Sequence, residues 1–132
     1  MAEPLEKLVI SSVDVDRELL ATTLMNLVRI DKDKGEIRLT LEAIRLPKKL
    51  QILVYLMGRK AAKALGILPD ELIAPKDLAS KLGRGGSALR GQLATLSEKE
   101  HLVKNEAGKY WVPNYAVEQV KALLEKATRK EK

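Results

Sequence analysis

The apolar positions of this chain change period several times, and each change marks an element. From Asp14 or Asp16, either suitable as an N-cap, Leu19, Leu20, Leu24, Leu27 and Val28 recur at helical spacing and predict a helix over roughly 16–28. The period then shortens: Val28 and Ile30, and beyond Asp33-Lys34-Gly35 also Ile37, Leu39 and Leu41, alternate with polar residues, which is a hairpin signal. A two-stranded ribbon is marginal alone and must lie on something larger. Ahead of the helix, the patch Leu8 to Ile10 reads as a first strand or an arm.

Pro47 opens the next element. Leu50, Leu53, Val54, Leu56, Met57, Ala61, Ala64 and Leu65 form a broad apolar stripe with Lys49, Arg59, Lys60 and Lys63 outside it, predicting a helix of about 18 residues that ends at Gly66. Gly58 in its interior costs about 1 kcal/mol against Ala and is read as a close contact with another helix. Leu72-Ile73 is long enough only for a minimal strand, and Pro75 sits at a helix start after Ala74, which cannot cap. Leu78, Ala79 and Leu82 are the buried side of that short helix, which stops at Gly83. A second short helix follows with Ser87 as its cap and Leu89, Leu93 and Leu96 as its inward stripe. Leu102-Val103-Lys104, a turn over Asn105 to Gly108, and Lys109-Tyr110-Trp111-Val112 make a ribbon closed by Pro113. Asn114 then caps a final amphipathic helix with Val117, Val120, Leu123, Leu124 and Ala127 on its apolar side.

In the stretch from Pro47 the order is long helix, minimal strand, short helix, glycine turn, short helix, ribbon. Through Ile73, Pro75, Leu78, Ala79, Leu82 and Gly83, then Leu89, Leu93, Leu96, Leu102, Val103, Gly108 and Tyr110, the chain resembles the winged helix-turn-helix family of DNA-binding regulators over about half its length. The resemblance implies an α+β fold: an N-terminal helix and hairpin extension over 1–46, a winged helix-turn-helix domain over 47–113, and a C-terminal amphipathic helix over 114–132 that could serve dimerisation. It also implies a use. The second short helix would enter a major groove roughly 12 Å wide, presenting Ser87, Arg90, Gln92 and Thr95. In this reading Arg90 takes a guanine edge or a phosphate, Gln92 pairs with adenine, and Ser87 and Thr95 take phosphates. Lys76 and Lys81 on the preceding helix, Arg84 in the turn, and Lys104 and Lys109 on the wing stand around that face as further DNA-binding candidates. Whether these basic groups converge is left open by the sequence, because Lys99 and Lys104 alternate with Glu98, Glu100 and Glu106.

Composition narrows the partner and the chemistry. The chain has 132 residues and a net charge of +6, with twelve basic against eight acidic groups in residues 71–132, a modest excess that suits a polyanion such as double-stranded DNA. There is no cysteine and one histidine, so thiolate metal sites and a zinc centre are outside its means, and no metal or cofactor is expected. Low Asn, Gln and Cys beside abundant Lys and Glu lean toward a thermophilic source. No apolar run is long enough to span a membrane and the N-terminus lacks the order of a secretion signal, so a cytoplasmic protein is expected.

Enzymatic chemistry has little to stand on here. Gly83-Arg84-Gly85-Gly86 lacks the Lys-Ser/Thr ending of a nucleotide loop and follows a helix, not a strand, so it reads as a turn between two helices. His101, where the family usually has glycine, reads as a left-handed helix end and has no nucleophile or carboxylate at a useful spacing. The rival to DNA binding is a winged-helix protein interaction module using Tyr110, Trp111 and the C-terminal helix. A short recognition helix makes few base contacts, and a homodimer sealed by the terminal helices is therefore expected.

Overall fold

The computed structural model describes residues 4–8 and 15–130. Its elements are a 3-10 turn Pro4–Leu8, α1 (Arg17–Leu24), β1 (Val28–Ile30), β2 (Ile37–Leu39), α2 (Leu41–Ile44), α3 (Lys48–Ala64), α4 (Pro75–Leu82), α5 (Gly86–Ala94), β3 (Lys104–Glu106), β4 (Lys109–Trp111) and α6 (Val117–Lys130). This is a mixed α+β fold with two short antiparallel hairpins whose sheets stay open. The expected strand or arm at Leu8 to Ile10 lies largely outside the described residues, and Leu8 itself belongs to the opening 3-10 turn.

α1 begins where the carboxylate of Asp16 accepts from the Leu19 amide, and it ends at Leu24, short of the expected 28. β1 and β2 pair in the register Val28 with Leu39, Arg29 with Arg38 and Ile30 with Ile37. Leu41 does not extend β2: Thr40 accepts from the Ala43 amide and starts the one-turn helix α2, a local cap that the apolar alternation hides. The ribbon lies on α3 at Gly58, where an added Cβ would stand 2.6 Å from Ile37 Cγ2 and 3.2 Å from Val28 Cγ1. The close contact expected there is therefore real, but its partner is the hairpin, not a helix.

α3 is the central element and is buried almost throughout, with Ile52, Leu53, Val54, Met57 and Ala62 fully covered. Helices α1, α2 and α6, both strands of the first ribbon and β4 all pack on it. Its end is a glycine cap, with the Ile67 amide donating to Ala62 O at 2.9 Å and Gly66 at φ 76°. α4 closes the same way at Gly83, whose φ is 64°, while the Arg84 amide reaches Ala79 O at 2.9 Å.

α5 starts two residues earlier than a Ser87 cap would place it. Gly85 is its cap position and makes no side-chain bond, which places Ser87 inside the first turn, not at the cap. Leu89, Leu93 and Leu96 are fully buried, as the stripe predicts. The helix widens into a π turn over Thr95–Lys99 and ends at His101, held at φ 55°, with the Leu102 amide bonded to Leu96 O at 2.9 Å. The expected left-handed end at His101 is thus present.

β3 and β4 pair Lys104 with Trp111, Asn105 with Tyr110 and Glu106 with Lys109. Ala107 and Gly108 turn the ribbon with φ of 52° and 83°, and Asn105 Oδ1 accepts from the Gly108 amide. The minimal strand expected at Leu72-Ile73 is a single bridge, in which Ile73 and Tyr110 exchange both backbone bonds at 3.1 and 2.8 Å. Asn114 lies in a 3-10 turn before α6, where its Oδ1 accepts from Lys60 Nζ at 2.8 Å. The α6 stripe packs on α1 and α3 of its own chain, burying Val117, Val120 and Leu124. The stripe expected to seal a homodimer is thereby covered internally.

Candidate nucleic-acid interface

α4 and α5 pack against each other through Leu78, Ala79, Leu89 and Leu93, all buried, so their opposite sides face solvent. On α4 the exposed side carries Lys76 and Lys81. On α5 it carries Gly86, Ser87, Ala88, Arg90 and Gly91, and Thr95 follows on the same side at the start of the π turn. Arg90 forms no ion pair and no side-chain hydrogen bond among the described residues, so its guanidinium is held by nothing in the fold. Thr95 returns its hydroxyl to Gly91 O at 3.1 Å, a bond that leaves the oxygen able to accept from elsewhere.

The glycines divide sharply by what surrounds them. A side chain at Gly58 would collide with the first ribbon, whereas one at Gly86 or Gly91 would meet no atom within 4 Å. Neither of those two has a positive φ. Gly91 sits in the interior of α5, where glycine costs about 0.8–1 kcal/mol relative to alanine. Internal packing and backbone conformation therefore do not account for it.

Two of the sequence candidates are committed elsewhere. Arg84 reaches inward: Nη1 donates to Lys48 O at 3.0 Å and Gln92 Oε1 at 3.4 Å, and Nη2 donates to Gln51 Oε1 at 2.7 Å. It ties the α4–α5 turn to α3, and partial burial lowers its pKa from the ordinary value. Gln92 is half-buried and serves as its partner. Arg84 and Gln92 are thus brought together, as a structural brace and not as an outward pair.

On the ribbon, Lys104 and Lys109 are exposed. Lys104 Nζ lies 5.5 Å from the ring centroid of Tyr115, and Lys109 stands opposite Glu106 in the register, which dilutes its charge. Tyr110 and Trp111, the expected protein-contact residues, are half-buried. Tyr110 OH accepts from Asn105 Nδ2 at 3.2 Å, and the Trp111 ring lies 5.4 Å from Lys60 Nζ with its own Nε1 buried.

That lysine is the principal polar feature that the apolar pattern misplaces. Lys60, expected outside the α3 stripe, is 3% exposed and pairs with Glu71, itself 6% exposed, at 3.0 Å. Desolvation lowers the Lys60 pKa, against the attraction of Glu71. Its phase was visible: Leu53, Met57, Lys60 and Ala64 follow at i, i+4, i+7 and i+11, all on one helix face. No helix among the described residues is long and apolar enough to cross a membrane. Set against protein-family models, curated proteins and solved structures, the chain matches none of them, and its surface must be read from its own geometry.

Proposed function

We propose that residues 47–113 act as a winged helix-turn-helix unit that binds duplex DNA, with α5 entering the major groove and the β3–β4 ribbon as the wing. The observation that carries this reading is the exposed side of α5, where Arg90 has no internal partner and Gly91 has no internal reason. A helix approaching base edges closely needs small residues where it meets the groove and a planar cation that can reach a guanine or a phosphate. Lys76, Lys81, Lys104 and Lys109 supply the sequence-independent attraction to phosphates.

This assignment drops Arg84 and Gln92 from the contact set and keeps Ser87, Arg90 and Thr95 on the helix. A protein-interaction role through Tyr110, Trp111 and α6 has less support, because these groups face the chain's own core or its Lys60 cluster. A regulator working as a homodimer would pair through a surface other than the covered α6 stripe. The experiment is direct: titrate a random-sequence duplex with wild type, Arg90→Ala and a double variant of Lys104 and Lys109 to Ala. Weaker binding in both variants with unchanged melting supports the assignment, and binding equal to wild type in both would remove this surface from DNA.

A further inference from the structure

The N-terminal extension carries a second surface, independent of the DNA reading. α1, β1 and the C-terminal part of α3 enclose an open groove of about 380 Å³, walled by Leu20, Leu24, Val28, Ile30, Ala61 and Ala64. Met25 and Leu65, among the most exposed large apolar side chains at 62% and 61%, also line it. Small-molecule sites are typically about 300–1,000 Å³, mostly apolar, with a few placed polar groups. The polar groups here are two arginines, Arg17 and Arg29.

Both arginines are fixed by backbone carbonyls and not by acids. Arg17 Nη2 donates to Ala64 O at 2.6 Å, and Arg29 Nη1 donates to Met25 O at 2.7 Å and Val28 O at 2.9 Å. Neither forms an ion pair among the described residues. The atoms left over differ. With Nη1 engaged, Arg29 keeps Nε and Nη2, the side-on fork that takes a carboxylate bidentately, whereas Arg17 already spends one Nη2 hydrogen on Ala64 O. Apolar walls beside an anchored, uncompensated guanidinium fork are complementary to an amphipathic anion. A second copy is a poorer occupant, because a two-fold pair would bring the same arginine-bearing rim against itself.

We propose that this groove binds an apolar carboxylate of the fatty-acid type, its tail along the α1–α3 walls and its carboxylate on Arg29. Calorimetric titration of the full chain with decanoate, decanol and acetate tests it. Decanoate should bind saturably at one site per chain, decanol about tenfold or more weaker for want of the charge-assisted pair, and acetate not measurably. Arg29→Gln should weaken decanoate about tenfold or more and Arg17→Gln less, while Ala21→Phe, which fills the groove from α1, should abolish binding with the thermal melt retained. The proposal is overturned if decanoate does not saturate, if decanol binds as well, or if Arg29→Gln or Ala21→Phe binds like wild type. A solution dimer that Ala21→Phe converts to monomer would also overturn it, by giving the groove to a second copy.

Discussion

Gly91 offers the sharpest separation of folding from function in this chain. It lies inside the nine-residue helix α5 with no atom within 4 Å of where a Cβ would stand and no positive φ to hold it as glycine. Replacing it with Ala removes a helix-propensity penalty of about 0.8–1 kcal/mol and adds no clash, so Gly91→Ala should stabilise the protein by about that amount. For a chain of this size that is a rise of roughly 3–5 °C in melting temperature, readable by circular dichroism. Gly91→Gln should be stabilising too, since Gln is also a good helix former, yet its longer side chain stands on the face that the proposed function sets against the groove. Duplex binding should then fall by about tenfold or more, equivalent to about 1.4 kcal/mol. Two results would refute the reasoning. A destabilised Gly91→Ala would make the glycine a requirement of the fold, and a Gly91→Gln that binds duplex like wild type would take this helix face off the DNA.

The remaining predictions concern residues whose roles the structure separates. Arg84→Ala loses bonds to Lys48, Gln51 and Gln92 and should destabilise by about 1–3 kcal/mol in urea denaturation, whereas Arg90→Ala should leave stability unchanged and weaken duplex binding by about 1–3 kcal/mol; the opposite assignment of effects would contradict the brace. Because the folded pKa of Lys60 lies below its ordinary 10.5, the folded state binds fewer protons there and its contribution to stability rises with pH up to that value. The stability of wild type relative to Lys60→Met should therefore increase as the pH rises toward 10.5, and a difference that falls over that rise in paired urea titrations would refute it. His101→Gly relieves a left-handed backbone at φ 55° and should raise stability by about 1 kcal/mol; a lower melting temperature would show that the imidazole contributes more than the strain costs.

Much of the fold was legible because the core is carried by periodic leucines. The stripe Leu89, Leu93, Leu96 and the α3 stripe announce two of the helices, and Gly66, Gly83 and His101 mark by left-handed backbone the ends of α3, α4 and the turn that follows α5. What periodicity could not show was local hydrogen bonding and depth. Thr40 starts α2 in place of a longer strand, Gly85 takes the cap position assigned to Ser87, and Lys60 enters the core because Glu71, Asn114 and Trp111 meet it from distant parts of the chain. The candidate site was legible in type but not in orientation. Arg84 and Arg90 are the same residue six positions apart, and only the packing of the turn on α3 sends one inward and leaves the other out.

The most direct test of the central claim is the affinity of the full chain for random-sequence duplex measured across a series of salt concentrations. If Lys76, Lys81, Arg90, Lys104 and Lys109 each neutralise one phosphate, the logarithm of affinity should fall with the logarithm of salt at a slope of about −4.5, and Lys109→Ala should make that slope shallower by about one. Absent binding at low salt, or a slope near zero that Lys109→Ala does not change, would contradict the account.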